Sequence, residues 1–262
     1  MSLIFSAITP HPPIIIPEIG GNNLAKVEKT ISSLNELAGD LYVSQPEIIF
    51  IISPHSIINP QAYCLNLANE FISNLKEFGP SQKEQKYKCE MELLSSIKEA
   101  ADKENIPVNI ISQPILDHGV SVPLYYLCQH LKNIKIIPIS YSLLNYDAHY
   151  KFGQLLRKII LTSNKRIAVI ASGDLSHRLT KEAPAGYSPE GKTFDNLLIN
   201  FLEEKKAKEI LTINRQLIED AGECGLRSII VLLGILNGSN YKFKKLSYEG
   251  PFGVGYLVAE LM

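Results

Sequence analysis

Residues 48–56 read IIFIISPHS, an apolar run that stops at Ser-Pro-His-Ser. A near-continuous apolar run of this length, ended by a proline, is typical of a strand buried on both faces of its sheet. Such strands occur mainly in parallel sheets that helices cover on both sides. The stretch therefore predicts an α/β fold, and it places His55 where a buried strand ends.

Similar runs alternate with helical segments along the rest of the chain. Strands are predicted at residues 3–8, 47–53, 106–112, 134–140 and 166–172. Apolar spacing predicts helices at residues 22–43, 88–104, 121–132, 149–163 and 191–210. Alternation of this kind predicts one mainly parallel sheet with helices on both faces.

The C-terminal part of the sequence changes character. LRSIIVLLGILNG predicts a buried helix that ends at Gly238, and YKFKKLSYEG and GVGYLVAEL predict two extra antiparallel strands at the sheet edge. The polar segment 69–90 is expected to be a loop that begins in a helix. The whole chain, residues 1–262, is predicted to be a single α/β domain.

Composition excludes several classes of function. The 262 residues carry a formal net charge of −1 and no long charged block, which argues against a nucleic-acid or polybasic membrane surface. No apolar run approaches the roughly 18 residues that span a bilayer, and the N-terminus lacks the features of a signal peptide. Four cysteines without CxxC spacing fit a reducing compartment. A cytoplasmic location is therefore expected.

Four of the six histidines follow strand-like apolar runs. They are His11 in TPHPP, His55 in SPHS, His118 in LDHGV and His177 in SGDLSH. In open α/β sheets, ligands bind beyond the carboxyl ends of the strands. The four imidazoles are therefore expected to converge, although they are scattered along the sequence.

Imidazoles and one carboxylate can together form a metal site. Two histidines and a carboxylate on one face leave positions open for substrate and O2, as in non-haem Fe(II) oxygenases, and the same ligands can hold Zn2+. Candidate carboxylates are Asp174 and Glu223, although either could instead cap a turn or a helix. Cys224, near a helix start, could alternatively be a nucleophile. The sequence has no GxSxG nucleophile elbow. It also lacks P-loop and GxGxxG motifs, which argues against nucleotide binding.

The set PHPP, SPHS, DHGVSVPL, SGDLSH and AGECGLRS resembles the class III extradiol ring-cleavage dioxygenases, the superfamily of the protocatechuate 4,5-dioxygenase catalytic subunit. It is most similar to the subgroup associated with the AmmeMemoRadiSam group. The resemblance spans nearly the whole chain. It implies a single α/β domain that holds Fe2+.

The resemblance also implies roles for individual residues. His11 and His55 would be the histidine ligands of the metal, and Glu223 would be the carboxylate ligand. His177 corresponds to the catalytic base. His118 corresponds to a second active-site histidine, which helps to bind or polarise the substrate.

One departure from the family pattern leaves the identity of the third metal ligand undecided. The Cys-Gly that follows Glu223 is similar to the Memo branch, in which histidines and a cysteine line the pocket. Cys224 is therefore an alternative third ligand, and a thiolate would favour zinc or copper over iron. The first hypothesis is ring cleavage of a catecholic substrate with O2. The alternatives are a Memo-like metal-binding or redox protein that acts with a partner in protein or RNA modification, and a zinc hydrolase.

The remaining expectations concern binding partners. Arg178 or Arg227 could bind a substrate carboxylate through two parallel hydrogen bonds, or could be ordinary surface residues. A homodimer is expected from base rates. The resemblance also implies a functional link to an AmmeMemoRadiSam partner protein.

Overall fold

The apolar runs predicted as strands form the middle of one mixed sheet. The computed structural model describes residues 2–79 and 84–262, and eleven strands of this part of the chain join in the sheet. The strands are β1 (Leu3–Thr9), β2 (Ile48–Ser53), β3 (Tyr63–Asn66), β4 (Glu70–Ser73), β5 (Gln85–Cys89), β6 (Val108–Ile111), β7 (Ile115–Leu116), β8 (Lys135–Ser140), β9 (Ile167–Ser172), β10 (Phe243–Glu249) and β11 (Tyr256–Leu261).

Helices connect most of these strands. The α-helices are α1 (Pro17–Gly20), α2 (Glu28–Ser44), α3 (Met91–Lys103), α4 (His118–Leu127), α5 (Tyr146–Thr162), α6 (Pro189–Glu203), α7 (Ala207–Leu211), α8 (Arg215–Ala221) and α9 (Leu226–Ile235). Short 3-10 helices lie at Pro13–Ile15, Gly21–Val27 and Lys76–Phe78. No helix in the described ranges is long and apolar enough to cross a membrane.

The sheet runs in the order β10-β11-β1-β9-β2-β8-β5-β4-β7, and β3 also pairs with β6 and β8. The four central strands β1, β9, β2 and β8 are mutually parallel. The C-terminal strands β10 and β11 pair antiparallel with each other, and β11 is antiparallel to β1. The predicted α/β class, the mainly parallel sheet and the antiparallel C-terminal strands are confirmed.

Every residue of the central strands β2 and β9 is buried, because helices cover both faces of the sheet. Helix α2 packs against α4 and against β10, β11 and β1. Helix α9 packs against α5, β9 and β2. This two-sided covering explains why these strands read as unbroken apolar runs instead of alternating with polar residues.

The structure corrects the prediction for residues 69–90. This segment contains β4 and β5, which pair antiparallel, and not a loop that begins in a helix. Only Phe71 and Tyr87 supply large buried side chains to the pair, so the alternation of apolar and polar residues is short and weak in the sequence. Residues 80–83 lie outside the described residues.

The predicted helices also differ from the observed ones in their bounds, and residues 121–132, for example, correspond to α4, which spans His118–Leu127. The predicted helix 22–43 begins as α2 only at Glu28, after the 3-10 turn Gly21–Val27. The predicted helix 191–210 is divided into α6 and α7 near Lys205, whose φ is 57°. A left-handed residue cannot continue a right-handed helix, and apolar spacing alone gives no sign of it.

Helices α5 and α9 cross in close contact at two glycines. A Cβ on Gly153 would lie 2.2 Å from the carbonyl oxygen of Val231, and one on Gly234 would lie 2.2 Å from that of Tyr150. Gly153→Ala is therefore expected to lower the free energy of unfolding by about 1–3 kcal/mol, measured by urea denaturation.

Gly39→Ala is the matched control, because Gly39 is also helical but faces open space. It should raise the free energy of unfolding by up to about 1 kcal/mol. Equal effects of the two substitutions would show that the helix crossing is not tightly packed at Gly153.

Candidate metal centre

His11 lies two residues after β1 and is held by the end of the neighbouring strand. Its backbone N–H donates to Asp174 Oδ1 at 3.0 Å, and its ring Nδ1 lies 2.9 Å from Ser172 Oγ. The Ser172 hydroxyl donates its proton to the Gly119 carbonyl at 2.5 Å, so Ser172 accepts from His11 Nδ1–H. This arrangement leaves the lone pair of His11 on Nε2, the form that a metal requires.

His55 and His118 bring two more imidazoles to the same place. His55 Nε2 lies 2.9 Å from His11 Nε2, and the rings of His55 and His118 stack with centroids 4.1 Å apart. One nitrogen from each of the three histidines lies within 4.8 Å of the other two. His11 is buried, His118 is half-buried and His55 is exposed, so the cluster is open to the surface on one side.

Asp117 positions the backbone segments that carry His55 and His118. It is the N-cap residue of α4, where its side chain accepts from the Val120 N–H at 3.2 Å. The same carboxylate accepts from Ser53 Oγ at 2.6 Å, and the Ser53 oxygen in turn accepts from the His55 N–H at 3.2 Å. The carboxylate thereby ties the loop after β2, which carries His55, to the first turn of the helix that begins with His118.

Cys224 also faces the cluster. Its Sγ lies 3.6 Å from His11 Nε2 and accepts from the Asp174 N–H at 3.3 Å. This approach is possible because two glycines meet behind it, since a Cβ on Gly173 would lie 2.1 Å from Gly225 Cα. Asp174 completes the surroundings, with Oδ2 3.9 Å from His11 Nε2.

Glu223 has a different environment from its neighbour. One of its carboxylate oxygens accepts from the Leu226 N–H at 2.5 Å, which caps the first turn of α9. The side chain lines a separate cavity together with Arg227. Metal ligation by Glu223 stays a prediction, as does the alternative of Cys224.

Burial sets the protonation of the cluster. It lowers the pKa of His11 well below the usual value, that of His55 to about 4, and that of His118 as well. Neighbouring histidines lower the first two further. Burial raises the pKa of Asp174 to about 7, and that of Cys224 well above its usual value. At neutral pH the three imidazoles are therefore uncharged and have lone pairs to donate.

His177 lies on the loop after β9, beside the cluster. Its charged form would lower the pKa of both His11 and His55, and burial lowers its own pKa, against the effect of nearby backbone carbonyls. Its backbone N–H donates to the Ala221 carbonyl at 3.2 Å. Its role as a base stays a prediction.

The two histidines that follow no strand lie elsewhere. His149 is buried with its ring nitrogens 2.8 Å and 3.0 Å from the carbonyls of Asn145 and Ser142, and His130 is exposed.

Arg178, one of the two arginines considered for binding a substrate carboxylate, donates to the Asp220 carbonyl at 3.3 Å. The other, Arg227, lines the same cavity as Glu223. The sequence analysis did not single out Ser172, although it ends β9 and is the first residue of the SGDLSH motif.

Comparison with known proteins decides the family. The model of the family described as the catalytic LigB subunit of aromatic ring-opening dioxygenase matches residues 6–259. The chain belongs to the LigB family. This confirms the resemblance to the class III extradiol dioxygenases over nearly the whole chain.

Several relatives and one solved structure are similar to the chain. A Clostridium acetobutylicum protein is 38% identical over 100% of the chain, which spans 58% of the length of that protein. The 3,4-dihydroxyphenylacetate 2,3-dioxygenase of Escherichia coli is 25% identical over 94% of both chains. A MEMO1 family protein of Methanococcus vannielii is 28% identical over 55% of the chain and 53% of its own length. Such MEMO1 relatives support the Memo-associated subgroup.

An uncharacterised protein of Escherichia coli K12 shares the fold. Its crystal structure superposes with a TM-score of 0.67 at 15% identity, covering 99% of this chain and 100% of that one. The LigB family includes dioxygenases, and the three-histidine cluster of this member has the donors to hold a metal.

Asp195 holds the loop that carries His177, and its raised pKa predicts that the stability of the protein depends on pH. Asp195 accepts from the Ser176 N–H at 2.8 Å and from the Tyr248 hydroxyl at 2.6 Å, and burial raises its pKa to about 6 from 3.8. The folded protein therefore binds this proton more tightly than the unfolded chain does. The resulting stabilisation is complete below about pH 4 and is lost as the pH rises through about 6.

Asp195→Asn should remove this pH dependence. The wild type should lose on the order of 2 kcal/mol more unfolding free energy than the variant between pH 4 and pH 7, measured by urea denaturation at each pH. Asp147→Asn, which changes an exposed carboxylate of α5, is the control and should run parallel to the wild type. Parallel curves for wild type and Asp195→Asn would contradict the assignment.

Proposed function

We propose that the protein is an Fe(II)-dependent extradiol dioxygenase that opens the ring of a catecholic substrate with O2. The observation that carries the proposal is the convergence of three uncharged imidazoles, with the lone pair of His11 directed into the cluster by Ser172. Imidazole ligands suit iron, zinc and copper, so the donor set fits a divalent metal without selecting one.

The substrate class is supported by a relative. The 3,4-dihydroxyphenylacetate 2,3-dioxygenase of Escherichia coli aligns over 94% of both chains. A dihydroxylated aromatic acid is therefore the first substrate to test. A bound ferrous ion would supply a Lewis acid for the two hydroxyl oxygens and an electron donor for O2.

The proposed roles of the protein's own residues follow from their environments. His11 and His55 hold the metal, and the Ser172 oxygen keeps His11 in the required tautomer. His177 is uncharged at neutral pH, because burial lowers its pKa, so it can accept a phenolic proton and later return it. His118, stacked on His55, is placed to orient the substrate or to act as a further ligand.

A second candidate function rests on Cys224. Its Sγ lies 3.6 Å from His11 Nε2, close enough for one metal to bind both, and a metal-bound thiolate would favour zinc or copper. This would be the Memo-like alternative, a metal-binding or redox protein that works with a partner in the modification of a protein or RNA. The homodimer and the AmmeMemoRadiSam partner remain predictions in either case.

Metal analysis separates the two candidates. Protein purified anaerobically is expected to contain iron, and His55→Ala should lose it while remaining folded by circular dichroism. Comparison of Cys224→Ala with Glu223→Gln then identifies the further ligand, because loss of a ligand reduces metal content and loss of a helix cap does not. Zinc or copper that depends on Cys224 would replace the dioxygenase proposal with the Memo-like alternative.

Turnover tests the role of His177. With 3,4-dihydroxyphenylacetate and O2, His177→Ala should keep its metal but lose about 100-fold or more in rate, followed by the absorbance of the ring-opened product. His130→Ala changes an exposed histidine away from the cluster and serves as the control. Full activity of His177→Ala would eliminate it as the base.

A further inference from the structure

A cavity of about 530 Å³ is lined by the start of α5, by α8 and by the segment that leads into α9. Its lining includes Glu223 and Arg227 but none of the four histidines His11, His55, His118 and His177. It is therefore separate from the cluster, although consecutive residues connect the two, since Glu223 lines the cavity and Cys224 faces His11.

The charged side chains of the cavity differ in whether they have hydrogen-bond or ion-pair partners. Arg215 is largely exposed and donates to Glu219 at 2.8 Å. Glu223 accepts from the Leu226 N–H, so its carboxylate is committed to α9. Within residues 2–79 and 84–262, the Arg227 guanidinium makes no direct ion pair or hydrogen bond, and its Nε is buried without a partner. Burial raises the pKa of Glu223 to about 7, and the nearby Arg227 charge opposes that rise.

Two aromatic rings hold the Arg227 guanidinium in place. Its Cζ lies 5.2 Å from the ring centroid of Tyr146 and 5.9 Å from that of Tyr141. The Tyr141 hydroxyl also donates to the Cys224 carbonyl at 3.4 Å. Stacking on aromatic faces leaves the N–H groups at the edge of the guanidinium plane free to bind an anion, and a planar fork of this kind matches a carboxylate.

Part of the cavity wall is apolar. Leu143, Leu144, Ile213 and Ile218 line it, and the Leu143 side chain is 54% exposed. Asn145 and Glu219 also line the cavity. An apolar wall with a few fixed polar groups is the usual arrangement for a small ligand with an apolar body and one charged end.

We infer that this cavity binds a small organic acid, with its carboxylate on Arg227 and its apolar body against Leu143 and Ile213. The site is distinct from the metal centre and does not depend on the proposed function. A ligand here would contact Gly222 and Glu223, which precede Cys224 in the chain.

Calorimetric titration of the metal-loaded protein with phenylacetate tests the inference, and phenylacetamide is the matched uncharged probe. The wild type should bind the acid and bind the amide at least about 10-fold more weakly. Arg227→Gln should weaken phenylacetate binding by about 10-fold or more, and Arg227→Lys by less, because lysine keeps the charge but not the fork.

Controls locate the binding. Arg215→Gln should change the affinity by no more than about 2-fold, because this arginine is exposed and paired. Leu143→Glu places a like charge at an exposed position of the wall and should also weaken binding, without disturbing the fold. His55→Ala should bind phenylacetate as the wild type does.

Two results would overturn the inference. They are absence of phenylacetate binding to the wild type and unchanged binding by Arg227→Gln. If binding that is unchanged in Arg227→Gln is also lost in His55→Ala, phenylacetate binds at the metal centre and not in this cavity.

Discussion

The parallel pairing of β1 with β9 is the constraint on which the candidate centre depends. Its register sets Thr9 opposite Ser172, so the two strands end together. His11 then follows one strand at the point where Ser172, Gly173 and Asp174 end the other. A slip of one residue would turn Ser172 to the opposite face of the sheet and would remove the acceptor that fixes the His11 tautomer.

A second constraint is the contact between two backbones. Gly173 follows β9 and Gly225 precedes α9, and a Cβ on Gly173 would lie only 2.1 Å from Gly225 Cα. The backbone N–H of Gly225 donates to the Asp174 carbonyl at 2.9 Å, which fixes the segment before α9 on the end of β9. Cys224 reaches the histidine cluster as a consequence. The sheet thus positions His11 directly, and it positions Cys224 through a packed loop.

The sequence predicted the central part of the fold because the strands buried on both faces are apolar along their whole length. The convergence of His11 and His55 was predictable for a related reason, since the carboxyl ends of neighbouring parallel strands share one edge. His118 instead follows β7, which pairs with β4, and it reaches the cluster from the first turn of α4. The pair β4 and β5 was missed because polar residues occupy most of its positions. The sequence could not show which of the two side chains, Glu223 or Cys224, faces the histidine cluster, because both lie in an irregular segment that has no periodicity.

The net pKa shifts in the cluster all favour the uncharged form of each group. Burial and mutual repulsion lower the pKa values of the histidines, and burial raises those of Asp174 and Cys224, so every group is driven toward its uncharged form. A divalent cation among them would bind the free imidazole lone pairs without displacing protons from these rings. It would also stabilise the ionised forms of Asp174 and Cys224, which lie 3.9 Å and 3.6 Å from His11 Nε2. The same burial that makes this site costly for isolated charges therefore favours a bound metal with an anionic neighbour.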